Sequence, residues 1–99
     1  MTRELRFSQS ARDELIALHA WVEGEAGTAI ADAYQERIEA RCRTLTEFPN
    51  RGTPRDDLIP GVRTLSFERR ILIFYRVEES EVLILWIVST ARDLPNLSQ

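Results

Sequence analysis

The sequence predicts an α+β fold in which a short N-terminal strand and an antiparallel two-helix hairpin precede a small antiparallel β-sheet, in the order β-α-α-β-β-β. Three observations predict it. Residues 71–77 (Ile-Leu-Ile-Phe-Tyr-Arg-Val) and 82–88 (Val-Leu-Ile-Leu-Trp-Ile-Val) are apolar runs separated only by Glu78-Glu79-Ser80-Glu81, the pattern of a β-hairpin. Two apolar stripes at helical spacing lie upstream of them. A breaker-rich stretch from Pro49 to Gly61 divides the stripes from the strands.

The first element is Glu4-Leu5-Arg6-Phe7, whose alternation places Leu5 and Phe7 inward on a half-buried strand. Helix one follows, with Ser8 or Ser10 as its N-cap and Asp13 three residues after Ser10. Ala11, Leu15, Leu18 and Val22 line one face, and Gly24 and Gly27 bracket the end. Thr28 is the expected cap of helix two, whose stripe is Ile30, Tyr34, Ile38, Cys42 and Leu45, with Glu39 and Arg43 toward solvent at i,i+4 spacing. In the long loop that follows, Leu58 and Ile59 are expected to pin the chain down. A strand over 62–67 puts Arg63 on the side of Leu65 and Phe67, and Glu68-Arg69-Arg70 turns into the hairpin.

Strict alternation separates Ile71, Ile73, Tyr75 and Val77 from Leu72 and Phe74, and Val82, Ile84, Trp86 and Val88 from Leu83, Leu85 and Ile87. Both faces of this hairpin are therefore apolar, as in sheets buried on two sides. Only roughly forty residues elsewhere carry helical periodicity, enough for two helices and one covered face. A partner chain on the second face closes the account, since large apolar patches mark interaction sites.

The 99 residues suit one domain spanning 1–99, and 43% hydrophobic with 29% charged residues is ordinary for a soluble globular chain. The start, Met-Thr-Arg-Glu-Leu-Arg-Phe-Ser, lacks the apolar run of a secretory signal, and Cys42 is the lone cysteine, so a cytoplasmic location is expected. Thirteen arginines and no lysine stand against sixteen carboxylates, a net charge of −3. That balance disfavours broad electrostatic binding of nucleic acid, although a local arginine cluster can survive it. Genome composition is the plain explanation of arginine-only usage; the planar, permanently charged guanidinium is the functional one.

Candidate chemical groups are few. His19 reads as a surface or boundary residue of helix one, and Cys42 as inert packing on the stripe of helix two. Arg63, Arg69, Arg70, Arg76 and Arg92 fall on or beside the sheet, where they can make ordinary salt bridges or, as a set, meet a partner. Trp86 in the double-faced strand can pack in the core or anchor a partner. Trp21, off the main stripe of helix one, can serve the same interface.

The order of elements and their punctuation resemble the toxin subunits of the ParE/RelE superfamily of type II toxin–antitoxin systems. The marks are Phe7-Ser8 with Ala11 and Leu15; Leu45-Thr-Glu-Phe48-Pro49; Gly52, Arg55-Asp56, Leu58 and Pro60-Gly61-Val62-Arg63; Arg70 through Val77 with Tyr75; and Ala91-Arg92-Asp93. Each is weak alone, and together, in order, they lean toward the ParE branch. The resemblance implies a RelE/ParE-like fold and a ParD-like antitoxin whose C-terminal segment wraps the toxin. It also implies inhibition of DNA gyrase by binding, without turnover. On that basis Trp21, Arg63, Arg70, Phe74, Arg76, Leu85 and Trp86 are the antitoxin-contact candidates, and Arg69 and Arg92 the target-contact candidates.

Two alternatives stand beside this reading. A RelE-like nuclease would cut ribosome-bound messenger RNA, which requires a base, an acid and cations around the scissile phosphate. The tyrosine or histidine expected near the last strand of such nucleases is missing from Ser89-Thr90-Ala91-Arg92-Asp93-Leu94. A non-toxic module that only binds antitoxin is the other. No catalytic residue, cofactor or metal site is expected. The acidic total departs from a group that is usually basic, which leaves a local arginine patch or a different target as explanations.

Overall fold

A computed structural model describes residues 3–89. The elements are β1 (Glu4–Phe7), α1 (Gln9–Ala26), α2 (Thr28–Thr44), β2 (Thr53–Pro54), β3 (Val62–Phe67), β4 (Ile71–Val77) and β5 (Glu81–Ser89), with a 3-10 turn at Pro49–Arg51. The strands form one sheet in the order β1-β5-β4-β3-β2. β3, β4 and β5 are antiparallel neighbours, as expected; β2, inside the stretch expected to be a loop, adds antiparallel to β3, and β1 joins β5 in parallel, Glu4 opposite Glu81 and Phe7 opposite Ile84. An alternating tetrapeptide announces a strand but not its partner, and the crossover through two helices makes the parallel pairing accessible.

Ser8 caps α1: its Oγ accepts from the Ala11 amide at 3.0 Å and donates to the Leu85 carbonyl at 2.6 Å, fastening the helix start to β5. Ser10 lies inside the helix, and so does Gly24. Gly27 alone separates the helices, at φ 95°, a conformation open to glycine at no steric cost. Its amide closes α1 on the Glu23 carbonyl at 2.9 Å. Gly27 also occupies the N-cap position expected for Thr28, whose hydroxyl donates instead to the Glu23 carboxylate at 2.7 Å.

The core lies between the helices and one sheet face. Ala11, Leu15, Leu18 and Val22 of α1 meet Ala31, Ile38 and Cys42 of α2, then Leu45, and the sheet residues Phe67, Ile71, Ile73, Tyr75, Val82, Ile84 and Ile87. The stripe of α2 starts at Ala31, not at Ile30, which is 55% exposed. Eight residues before Ile38 is about 80° off its direction, whereas seven is nearly in line. Glu39, expected toward solvent, is half-buried and accepts from Gln35 at 3.2 Å.

A bulge overturns the alternation expected along the last strand. Phe74 pairs with Trp86 and Tyr75 with Ile84, so Leu85 is the extra residue. Val82, Ile84, Ile87 and Ser89 thereby face the helices, while Leu83, Trp86 and Val88 face away. Trp86 and Val88 are thus not on the side of Val82 and Ile84, and Ile87 is not on the side of Leu83.

Candidate functional site

Three places gather the candidate residues. The first is the sheet face turned away from the helices. Cross-strand partners share a face, so Leu72 with Val88, Phe74 with Trp86, and Arg76 with Leu83 form its rows. Trp86 is 38% and Val88 37% exposed, and the Phe74 ring meets the Trp86 indole edge-on at 5.8 Å and 81°. The pair is the aromatic centre of an apolar strip in which Leu72, Phe74 and Leu83 are half-buried and Trp86 and Val88 exposed. Arg76 closes one end, its guanidinium donating to the Glu78 carboxylate. Leu85, at the bulge, is half-buried.

The second is a groove where α1, α2 and the β3–β4 turn converge. Trp21, Val22, Ile30, Tyr34, Arg37, Glu68, Arg70 and Ser89 line a cavity of about 290 Å³. Arg37 spans the groove, donating from Nε and Nη2 to the Glu68 carboxylate at 3.0 and 3.2 Å and lying 5.2 Å from the centre of the Tyr34 ring. Partial burial, helped by the Glu68 charge, raises the Tyr34 pKa above its ordinary value. Trp21 (42% exposed) and Arg70 therefore lie apart from Phe74, Arg76 and Trp86, so the seven antitoxin-contact candidates do not form one surface.

The turn bordering this groove is strained. Glu68 and Arg69 both have positive φ, 50° and 67°, and the Arg70 amide donates to the Phe67 carbonyl at 3.2 Å. Such two-residue turns favour Asn-Gly, because a left-handed residue with a Cβ costs roughly 1–2 kcal/mol. Arg69→Gly is accordingly expected to raise the stability of the chain by about 1 kcal/mol, read as a higher urea midpoint. A lower midpoint would show that Arg69 makes contacts that outweigh the strain.

The third place is the loop after α2. Tyr75, fully buried among core residues, sends its hydroxyl under the loop, donating to the Pro49 carbonyl and accepting from the Gly52 amide, both at 2.8 Å. Arg63 donates from Nη1 to the carbonyls of Gly52 at 2.7 Å and Asn50 at 3.2 Å. The Asp56 carboxylate takes the Gly61 amide at 2.8 Å. These polar ties hold the loop; Leu58 and Ile59, expected to pin it, are 49% and 37% exposed. Arg63 is thus committed to loop carbonyls. The sequence shows Tyr75 in the apolar row with Ile71 and Ile73 and as a family mark, but not its tie to the loop, although a tyrosine in an inward apolar row must find a partner for its hydroxyl.

A family profile described as "ParE toxin of type II toxin-antitoxin system, parDE" matches residues 5–94. This chain belongs to the ParE toxin family. Toxin ParE3 of Caulobacter vibrioides is similar, 37% identical over 68 residues that cover 69% of this chain and 67% of the relative. A solved structure described as "Chromosomal ParDE TA system from P. aeruginosa" superposes with a TM-score of 0.77 at 28% identity, covering 89% of this chain and 96% of the other. The α+β fold expected from the sequence is therefore the fold of a ParE-type toxin of a type II toxin–antitoxin system.

In this ParE-type toxin the groups available for acid–base chemistry are dispersed. His19 holds Asp32 at 2.7 Å across the helical hairpin. The Tyr75 hydroxyl is taken by two backbone groups, and burial holds its pKa above the ordinary value. The Cys42 thiol is fully buried, which pushes its pKa up to about 12 and leaves it inert at neutral pH. Arg69 is exposed at the turn, and Arg92 lies outside the described residues. No helix among the described residues is long and apolar enough to cross a membrane.

Proposed function

We propose that this toxin acts by stoichiometric binding to DNA gyrase in the cytoplasm and is silenced by a ParD-like antitoxin that covers the outer sheet face. The observation that carries the antitoxin half is the apolar strip of Leu72, Phe74, Leu83, Trp86 and Val88, centred on an edge-on aromatic pair. Aromatic and arginine anchors in the middle of an apolar patch are the usual hot spots of protein interfaces. Phe74, Arg76, Leu85 and Trp86 are the contacts we keep for the antitoxin. The membership in a ParE family, together with the dispersal of His19, Tyr34 and Tyr75, supports action without turnover.

Target contact is assigned to Arg69 on the exposed β3–β4 turn, together with Arg92. Backbone strain kept at an exposed tip is a common companion of function, and here it carries a cation outward. The test uses the purified chain in a gyrase supercoiling assay beside a message-integrity assay on translating ribosomes. Inhibited supercoiling with intact message supports the reading, and cleaved message overturns it in favour of the nuclease.

For the antitoxin, the protein encoded next to this chain's gene is titrated against the wild type and Phe74→Ala/Trp86→Ala. Loss of two central anchors is expected to weaken binding by about a thousandfold, at about 2 kcal/mol for each. Unchanged affinity would move the antitoxin off this face. Arg69→Gly is expected to bind antitoxin normally and to lose gyrase inhibition despite its higher stability.

A further inference from the structure

Among the described residues, Glu68 and Arg69 are the only ones other than glycine at positive φ, and they stand side by side in the β3–β4 turn. An Asn-Gly pair would reverse the chain there without that strain. Two contacts hold the turn as it is. At its base the Arg70 amide donates to the Phe67 carbonyl at 3.2 Å, the long end of the ordinary range. From α2, 31 positions earlier, Arg37 donates through Nε and Nη2 to both oxygens of the Glu68 carboxylate, at 3.0 and 3.2 Å.

The second hold is better built than an ordinary surface ion pair. A guanidinium fork on a carboxylate fixes direction as well as distance. The same guanidinium lies 5.2 Å from the centre of the Tyr34 ring, and that ring meets Phe67, the last residue before the turn, at 6.2 Å and 48°. Tyr34 and Arg37 are three residues apart on α2 and so share one of its faces. That face touches the entry of the turn through Phe67 and its first left-handed residue through Glu68. Arg69, next in line, is exposed, and where its side chain points follows from the backbone that Glu68 anchors.

We propose that Arg37 is a positioning residue of this toxin: by gripping the Glu68 carboxylate it keeps the left-handed turn closed and the Arg69 guanidinium turned outward toward the target. The part in target contact rests on the assignment of Arg69 to that contact, whereas the hold on the turn stands on geometry alone. Without Arg37, the strain of two left-handed residues faces one long hydrogen bond, and the turn opens to conformers that carry Arg69 elsewhere. The strip around Phe74 and Trp86 is untouched, because it lies on the sheet face turned away from α2.

The experiment compares the wild-type full chain with Arg37→Glu, Arg37→Lys and the exchanged pair Arg37→Glu/Glu68→Arg. Amide hydrogen exchange at Arg70, read by two-dimensional NMR of the isotope-labelled protein, reports the turn with no partner present. Arg37→Glu replaces attraction to Glu68 by repulsion. It is expected to speed exchange at Arg70 about ten-fold while the amides of β4 and β5 stay within about two-fold of wild type. Gyrase inhibition should weaken about five-fold, in proportion to the fraction of chains whose turn is closed, with antitoxin affinity unchanged. Arg37→Lys keeps the charge but not the fork and should fall between wild type and Arg37→Glu in both readouts. The exchanged pair restores the attraction and should recover both. Faster exchange throughout the sheet, with weaker antitoxin binding, would make Arg37 a support of general stability and overturns the proposal. So does weakened inhibition with an unchanged Arg70 amide, which makes Arg37 a target contact in its own right, or a loosened Arg70 amide with full inhibition. If the wild type itself leaves gyrase active, the gyrase reading fails, and exchange at Arg70 still decides whether Arg37 holds the turn.

Discussion

Gly52→Ala is expected to lower the stability of the chain by roughly 3–5 kcal/mol, from the overpacking and lost hydrogen bonds together. A Cβ at this position would lie 2.6 Å from the Tyr75 hydroxyl, 2.8 Å from its ring and 2.7 Å from the Thr64 carbonyl oxygen. The tyrosine is fully buried, and the carbonyl belongs to the backbone of β3, so neither can step aside. The loop must lift instead. Lifting it breaks the contacts of Gly52 and Pro49 with the Tyr75 hydroxyl and the contact of Arg63 with the Gly52 carbonyl. Against a total stability of about 5–15 kcal/mol for a domain of this size, the loss is large. Urea unfolding of Gly52→Ala, Tyr75→Phe and the double variant measures it. Removing the hydroxyl removes the shortest of the three close contacts, so the double variant should cost less than the sum of the singles. Additive losses, or a Gly52→Ala chain within about 0.5 kcal/mol of wild type, would show that the loop is not held by this close approach.

The second large effect is alkaline. Burial raises the Cys42 pKa from 9.0 to about 12 and raises the Tyr75 and Tyr34 pKa values above 10.0. A group whose pKa is higher folded than unfolded gives up its proton first in the unfolded chain, which is thereby favoured as pH rises. Stability should therefore be flat from about pH 7 to 9 and fall from pH 9 toward about 12, the interval set by Cys42. The thiol alone accounts for on the order of 4 kcal/mol across that interval, with the tyrosines adding to the fall above pH 10. Urea midpoints measured from pH 7 to 11.5 test this. Cys42→Ala should be less stable at pH 7, through the small cavity it leaves, yet lose less between pH 9 and 10, before the tyrosines contribute. An identical alkaline slope in the two proteins would remove Cys42 as its cause.

Much of the fold could be read from the chain because periodicity is local. The stripes of α1 and most of α2, and the apolar runs that became β4 and β5, follow from side chains three, four or two residues apart. What escaped depends on distant parts of the chain. Nothing in Val-Leu-Ile-Leu-Trp-Ile-Val marks Leu85 as an extra residue; the Ser8 hydroxyl that donates to its carbonyl lies 77 positions away. That bulge decides whether Trp86 faces the helices or solvent, and hence which candidates share a surface. For the same reason, Trp21 and Arg70 could not be separated from Phe74 and Arg76 before the register was known. β2, only Thr53–Pro54, is too short to leave a pattern and exists because β3 offers it an edge.

The parallel seam between Glu4–Phe7 and Glu81–Ile84 joins positions 77 residues apart. Contacts between residues so distant in sequence form late, because closing the intervening loop costs entropy before any contact repays it. The β3–β4–β5 meander can assemble from neighbours, but β1 and the helix start that Ser8 fastens to β5 must wait for residues 81–85. During synthesis, that last step comes only when nearly all of the described chain has left the ribosome. Until then, the β5 edge that β1 will pair with is open to any chaperone or antitoxin already present.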